Sequence, residues 1–351
     1  MLHIDVPRTA WSMFRWFAAG MLVTLMWPET AWSAQELKIS FGSAQKREQP
    51  SNLWIVQRRD CRQEIGIDPR PCLKILHLDA DGHLEEKTSD ALWKHVHGRP
   101  ILIQVQGIEV SRDLALDGMI KTRRWLAQSD ALPPDAVIIT FDWPSQSRFL
   151  FVIPRVNEEC RRAVVAGYHL AHFIQAFPTG SRICLLGHSH GGRAVAASLH
   201  LLGGGELNSR LGGEPVRLTQ RSDLRVRGVV LAAGIDHQWL NPGNKLGQAL
   251  AGCEAFCSLN NRRDPLLLFY PLMSNGGHGW ALGRVGLLPD DRDRLGPLAK
   301  KFVERDYHHL VGYNHTLYAI MAHPEIARWI APFTWATPDL FGTEGVTLQP
   351  E

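Results

Sequence analysis

The sequence is short of several features that would assign it to a special class of protein. The apolar segment Trp16–Trp27 falls below the roughly 20 residues that a membrane-spanning helix needs. The net charge is only +3, with Lys and Arg spread along the chain, so no basic stripe indicates a nucleic-acid partner. The six cysteines match no zinc-module spacing, and no internal repeat is evident. With 45% hydrophobic residues in 351, the chain can instead build a large globular core.

The first residues resemble an export signal in their arrangement. Arg8 and Arg15 precede and flank the apolar segment 16–27, and the small residues of Ala31–Ala34 offer a cleavage site. We therefore predict a cleaved signal peptide over residues 1–34, a single domain over residues 35–351 and a periplasmic or extracellular location. An uncleaved amphipathic anchor is the alternative, and no cysteine follows the apolar segment to suggest a lipoprotein.

The cysteines fit an oxidising compartment. Cys61 and Cys72 bracket a polar loop that contains proline, and we predict a disulfide between them. Cys253 and Cys257 are candidates for a second disulfide. The sequence leaves that second pairing open.

Apolar runs alternate with helical patterns along most of the chain. This alternation predicts a mixed α/β fold with a mostly parallel central sheet and helices on both faces. The predicted strands are Leu53–Val56, Leu73–Leu78, Pro100–Gly107, Ala136–Phe141, Ile183–Leu186, Val226–Ala233 and Ala255–Asn260. Helices are predicted over Thr88–Val96, Ser111–Gln128, Val156–Phe177, Lys245–Ala251 and Thr316–Ile330, and directly after Gly191.

One stretch organises the rest of the chain. The buried strand Ile183–Leu186 leads into Gly187–Gly191, a G-x-S-x-G pentapeptide, and an Ala/Leu-rich helix follows. Strand, tight turn and helix form the context of a nucleophile elbow, which holds the side chain of Ser189 out at the strand's carboxyl end. The same turn points the backbone N–H of His190 at whatever the serine attacks. The alternative is a glycine-rich turn whose serine only caps the helix.

A serine hydroxyl needs a base to take its proton and an acid to orient that base. In this architecture the three residues follow one another as Ser, Asp or Glu, then His. Asp264 lies in the loop after the predicted strand Ala255–Asn260, and His315 lies farther along the chain, in the loop Gly312–His315 just before the closing helix. Asp236 is the alternative acid, and the nearby His308 and His309 are rival bases.

Five short motifs together resemble the α/β-hydrolase superfamily. More narrowly, the chain is similar to a bacterial group of largely uncharacterised members with a Trp-Pro-Ser loop and an H-S-x-G elbow. The resemblance covers about residues 50–335. The motifs that carry it are Val105-Gln106-Gly107, Asp142-Trp143-Pro144-Ser145, Gly187-His188-Ser189-His190-Gly191, Asn261-Arg262-Arg263-Asp264 and Gly312-Tyr313-Asn314-His315.

The resemblance implies an α/β-hydrolase fold and a role for each matched residue. Ser189 would be the nucleophile, Asp264 the acid and His315 the base. The oxyanion hole would use the backbone N–H groups of His190 and Ile108. One departure is Gln106, which stands where the family usually has a histidine before the glycine of the oxyanion strand. We expect its side chain to hydrogen-bond the loop in place of that histidine.

These features predict an exported serine hydrolase that cleaves a carboxylic ester through an acyl-enzyme. The expected substrate is a small-molecule or lipid-like ester, with contact to a membrane surface left open, and the oligomeric state is not predicted. Gln106, Trp143 and Trp280 are candidates for the substrate pocket. No cofactor or metal is predicted, because the H-x-H pair around Ser189 lacks a third ligand at a recognisable spacing. The alternatives are a non-catalytic binding scaffold on the same fold and another enzyme class with the same triad.

Overall fold

The structure is a computed structural model that describes residues 52–146, 152–208, 214–273 and 279–335. The predicted leader, residues 1–34, lies outside the described residues, so the signal peptide and its cleavage stay predictions. In these four ranges, no helix combines the length and the apolar character needed to cross a bilayer.

A mostly parallel sheet of nine strands forms the centre of the described part of the chain. Its spatial order is β11-β10-β9-β6-β4-β5-β1-β2-β3, and only the strand β2 runs against its neighbours. The strands are β1 (Leu53–Gln57), β2 (Lys74–Leu78), β3 (Leu84–Lys87), β4 (Pro100–Val105), β5 (Val137–Asp142), β6 (Arg182–His188), β9 (Arg225–Leu231), β10 (Ala255–Asn260) and β11 (Phe302–Asp306). A separate small ribbon pairs β7 (Glu206–Leu207) with β8 (Val216–Arg217).

Helices cover both faces of this sheet. They are α1 (Ser89–Val96), α2 (Arg112–Gln128), α3 (Val152–Gln175), α4 (His190–Leu202), α5 (Pro265–Leu268), α6 (Tyr270–Met273), α7 (Leu282–Val285), α8 (Pro289–Leu295), α9 (His308–Val311), α10 (Leu317–Met321) and α11 (Pro324–Trp335). Helices α1, α3 and α4 pack in the apolar core on one face, and α2, α10 and α11 pack in the core on the other.

The buried central strands show why the sheet needs two helical layers. In β6, Ile183 and Leu185 enter one core, whereas Cys184 and Leu186 enter the other. Because side chains alternate across a strand, a continuous apolar run is stable only where both faces are covered. The predicted mixed α/β architecture, with a mostly parallel sheet between two helical layers, is confirmed.

Two helix predictions were wrong in detail. Residues 245–251 form a series of turns, in which the N–H of Gly247 donates to the carbonyl of Asn244 and that of Ala249 to Leu246. The predicted closing helix is divided into α10 and α11 at Pro324. Proline has no N–H to donate and disfavours helical geometry in the residue before it.

The structure contains the disulfide between Cys61 and Cys72, as the sequence predicts. The second candidate pairing was wrong, because Cys253 and Cys257 are both free and buried. Cys253 packs in the core on the α4 face of the sheet, whereas Cys257 packs in the core on the α2 face. The sheet separates the two thiols, so they cannot reach each other.

Candidate active site

Ser189 lies between β6 and α4 with a strained backbone. Its φ is 53° and its ψ is −121°, a conformation that side-chain-bearing residues rarely adopt. The flanking glycines permit the turn. A Cβ on Gly187 would lie 2.6 Å from the backbone nitrogen of Gly192, and one on Gly191 would lie 2.1 Å from the carbonyl oxygen of Val105. The pentapeptide therefore forms the sharp strand-to-helix elbow that the sequence predicts.

The structure brings Ser189, His315 and Asp264 together in one hydrogen-bonded chain. His315 Nε2 lies 2.9 Å from Ser189 Oγ, and His315 Nδ1 contacts Asp264 Oδ2. Asp264 is fully buried, and its other oxygen, Oδ1, accepts the backbone N–H groups of Leu266 and Leu267 at 2.9 and 3.2 Å. Because those N–H groups fix the carboxylate, Oδ2 can accept Nδ1–H, which leaves Nε2 free to accept the serine proton.

Two side chains hold the loop that carries His315. The ring of His188 donates through Nε2 to the carbonyl oxygen of His315 at 2.7 Å, and the amide of Asn261 donates to the carbonyl of Asn314 at 2.9 Å. Burial, with the nearby His315 ring, lowers the pKa of His188 to about 3, so its imidazole is a neutral donor. Sequence reasoning missed this role, although His188 adjoins Ser189 in the pentapeptide.

The rival acid and bases have other partners. Asp236 Oδ1 accepts the backbone N–H of Gln238 at 3.1 Å and caps the short 3₁₀ helix that follows it. His308 Nδ1 lies 3.0 Å from Asp306 Oδ1, and the ring of His309 lies 6.2 Å from that of Trp329. The structure therefore groups Asp264 and His315 with the serine, and does not bring Asp236 into contact with His315.

The chain that leaves the carboxyl end of β4 passes directly beside Ser189. A Cβ on Gly107 would lie 3.2 Å from Ser189 Cβ, so only glycine fits here without a shift. In the described residues, the backbone N–H groups of Ile108 and His190 donate to no backbone carbonyl. The His190 ring lies in the interior, with Nε2 3.1 Å from Cys160 Sγ, and burial lowers its pKa well below the ordinary value.

The Asp-Trp-Pro-Ser motif holds the loop that follows β4. The Trp143 indole donates to the carbonyl of Gln106 at 2.9 Å, and the N–H of Glu109 donates to the carbonyl of Ser145 at 3.1 Å. Ser145 Oγ also donates to the carbonyl of Val110 at 3.0 Å. These contacts fix a loop in which Glu109 has a φ of 59°. Sequence reasoning found this motif but missed its function.

The pocket candidates occupy different environments. Trp143 is 1% exposed and belongs to the core, whereas Trp280 is 44% exposed. The side chain of Gln106 packs against Gly118 of α2, and a Cβ there would lie 2.4 Å from Gln106 Nε2. That nitrogen is buried and has no hydrogen-bond partner in the described part of the chain. Gln106 Nε2 therefore does not make the hydrogen bond to the loop that we expected from this side chain.

A buried carboxyl group lies behind the same loop. Glu159 is 1% exposed on α3, and Arg155 contacts both Glu159, at 3.5 Å, and Glu109. Burial and the neighbouring Glu109 raise the pKa of Glu159 to about 9, although Arg155 opposes this. Glu159 is therefore protonated at neutral pH and can donate a hydrogen bond to Glu109.

This protonated group predicts a pH dependence of stability. The native pKa of Glu159 lies above the unfolded value of 4.5, so unfolding releases a proton above about pH 5. Its contribution to stability is complete below the unfolded pKa and declines as the pH rises towards 9, by at most about 1.4 kcal/mol per pH unit. Glu159→Gln keeps a donor but does not titrate. Urea unfolding at a series of pH values is expected to show the wild type losing stability relative to this variant.

Glu158→Gln is the matched control, because it changes the adjacent residue in the same way. Hydrogen bonds from Arg161 and Arg162 lower the pKa of Glu158 to about 2, so its contribution is constant from about pH 5 to about pH 9. Parallel stability curves for the wild type and Glu159→Gln over this interval would contradict the assignment.

Comparisons with known proteins return structural matches only. No family model matches the chain, and no curated protein matches it. The narrower bacterial group to which the motifs are similar therefore remains a prediction.

Several solved structures match the fold at low identity. An inhibited esterase B from Lactobacillus rhamnosis is 12% identical with a TM-score of 0.41, and the match covers 91% of this chain and 93% of that one. An esterase/lipase from an uncultured bacterium is 12% identical with a TM-score of 0.35, covering 78% and 84%. An acetyl xylan esterase is 13% identical with a TM-score of 0.32, covering 68% and 96%.

Proposed function

We propose that this protein is a serine hydrolase that cleaves a carboxylic ester through an acyl-enzyme intermediate. The observation that carries the proposal is the unbroken contact from Ser189 Oγ to His315 Nε2, and from His315 Nδ1 to the buried Asp264. A capping serine would need no such base, whereas a nucleophilic serine requires both the base and its orienting acid.

The first half-reaction transfers the acyl group to the serine. Ser189 Oγ attacks the ester carbonyl carbon while His315 Nε2 takes the hydroxyl proton, and Asp264 stabilises the resulting imidazolium. When the tetrahedral intermediate collapses, the ester C–O bond breaks and His315 gives the proton to the departing alcohol. Water then attacks the acyl-enzyme with His315 again as the base, which releases the acid and restores Ser189.

The developing negative charge on the carbonyl oxygen needs donors that are already in place. In this proposal the backbone N–H groups of His190 and Ile108 supply them, at the start of α4 and after the end of β4. Two features support it: these N–H groups donate to no backbone carbonyl in the described residues, and the hydrogen bonds of Ser145 hold the loop after Ile108. The positive end of the α4 dipole adds to the stabilisation.

We also propose that the protein acts outside the cytoplasm, with residues 1–34 as its signal peptide. The arrangement of the leader supports this, and so does the disulfide between Cys61 and Cys72, since disulfides persist in oxidising compartments. A substrate that is a small-molecule or lipid-like ester fits both the proposed chemistry and the location.

Fluorophosphonate labelling of the purified protein tests the proposal. We expect covalent modification at Ser189, mapped by mass spectrometry, together with hydrolysis of short p-nitrophenyl esters. The control is His315→Ala, which keeps the serine but removes its base and is expected to label far more slowly. A folded sample that is neither labelled at Ser189 nor active on the esters would instead favour the non-catalytic scaffold. The buried, unpartnered nitrogen of Gln106 beside the oxyanion loop is the feature that agrees with that alternative.

A further inference from the structure

A cavity of about 870 Å³ lies on the α3–α4 side of the sheet. Its walls come from α3, α4, the ribbon strands and residues 239–248, and they do not include Ser189, Asp264 or His315. The volume falls in the range of about 300–1,000 Å³ typical of small-molecule sites. The proposed ester hydrolysis does not use this space.

Arg193 is a buried cation in the wall of this cavity. It is 2% exposed, and its Nε and Nη2 atoms donate to the carbonyl of Gly234 at 3.0 and 2.8 Å, with Nη2 also 2.9 Å from the hydroxyl of Tyr270. Within the described ranges no ion pair joins Arg193 to a carboxylate, and its other polar neighbour is the thiol of Cys160. A buried guanidinium stays charged, and leaving that charge uncompensated is costly.

Arg193 and a second cation, Lys245, both approach the indole ring of Trp239. The guanidinium carbon of Arg193 lies 4.9 Å from the centre of the Trp239 ring, and Lys245 Nζ lies 4.5 Å from it. Burial and the positive charge of Arg193 lower the pKa of Lys245, although Asp236 opposes this. The two cations therefore disfavour each other, and an anion bound between them would relieve that repulsion.

The remaining polar groups of the cavity favour a hydroxylated ligand. The amide side chains of Asn157, Asn244 and Gln248 line it, and each offers both a donor and an acceptor. The other two arginines of the wall already have carboxylate partners, since Arg161 pairs with Glu158 and Arg217 with Glu206. The uncompensated charge is therefore concentrated at Arg193.

We propose that this cavity binds a small organic anion, a hydroxylated molecule with one carboxylate or phosphate group that contacts Arg193 and Lys245. The N–H groups of a guanidinium match the oxygens of both kinds of anion, and charge-assisted hydrogen bonds are the strong ones. The amide groups then hold the hydroxyls of the ligand. The site is separate from the triad and does not depend on the proposed hydrolase activity.

Titration calorimetry of the full chain at constant ionic strength tests the proposal with three probes. Inorganic phosphate and gluconate represent the two kinds of anion, and glucose is the neutral counterpart of gluconate. We expect saturable binding of at least one anion and none of glucose, and the stronger anion identifies the ligand class. Arg193→Gln is expected to abolish the binding, and Lys245→Gln to weaken it about tenfold, the loss of one charge-assisted contact.

Matched variants separate the site from general charge effects. Lys300→Gln removes the same charge from an exposed position outside the cavity wall and is expected to bind as the wild type does. Ser189→Ala is also expected to bind normally, because the serine does not line the cavity. If Arg193→Gln does not fold, Lys245→Gln decides the result. No saturable binding of either anion, or equal affinities in the wild type and Lys245→Gln, would overturn the proposal.

Discussion

Ser189→Ala is expected to lower kcat for ester hydrolysis by a factor on the order of 10⁴ to 10⁶, the loss seen when the nucleophile of a triad is removed. The variant keeps Cβ, which the strained elbow already accommodates, and loses only the Oγ that lies 2.9 Å from His315 Nε2. Its fold should therefore be preserved. Steady-state kinetics with p-nitrophenyl esters, beside circular dichroism and thermal unfolding, measures both effects.

Ser198→Ala is the matched control for this loss. Ser198 is also on α4 and fully buried, and its hydroxyl has no hydrogen-bond partner in the described part of the chain. Its removal deletes one buried hydroxyl without disturbing the triad, so kcat should stay near the wild-type value. Full hydrolysis by Ser189→Ala would exclude the proposed nucleophile, whereas equal losses in both variants would indicate a packing effect.

The fold was largely predictable because its main signals are local. An apolar run such as Ile183–Leu186 indicates a strand buried on both faces. The observed strand β6, Arg182–His188, contains this run and is only slightly longer. The turn at Ser189 could be predicted from the G-x-S-x-G pentapeptide, in which a glycine lies two residues to either side of the serine. The edge strand Leu84–Lys87 was missed because it is mostly exposed and polar, and its pairing with β2 stabilises it.

The errors arose where tertiary contacts override local pattern. Residues 245–251 have an apolar spacing that suggests a helix, but the N–H of Leu246 donates to the carbonyl of Trp239. Cys253 and Cys257 have a spacing suitable for a disulfide, yet they lie on opposite faces of the sheet. Nothing in the spacing of two residues reports on which side of a sheet each one lies.

The candidate site residues could be predicted from the sequence, but the hydrogen bonds that hold them in position could not. Chain order and loop position after a strand were sufficient to select Asp264 and His315 as candidates. The contact of His188 with the carbonyl of His315 joins positions 127 residues apart. Likewise, the hydrogen bond from Trp143 to Gln106 joins positions 37 residues apart. Such pairings depend on how the loops meet above the sheet, which one sequence does not specify.

Gly98→Ala and Gly191→Ala form a matched pair that separates backbone strain from steric clash. At Gly98 the φ is +72° and nothing lies within 4 Å of an added Cβ, so the cost is the strain alone, about 1–2 kcal/mol. At Gly191 the φ is not positive, so the whole loss of stability comes from the clash of the added Cβ with the carbonyl oxygen of Val105. Equal losses of unfolding free energy in the two variants would contradict the close approach of α4 to β4.

Gly191→Ala is expected to destabilise the protein by more than about 4 kcal/mol and to abolish ester hydrolysis in whatever fraction folds. The new Cβ would lie 2.1 Å from the carbonyl oxygen of Val105 and 2.6 Å from that of Gln106, and neither backbone atom can rotate away. Relief requires α4 to move from the end of β4, which separates the N–H of His190 from that of Ile108 and misaligns Ser189. Urea unfolding gives the free energy, and kcat of the folded fraction reports the displacement, because a shift of about 1 Å at the reacting atoms is sufficient to cost about 100-fold in rate.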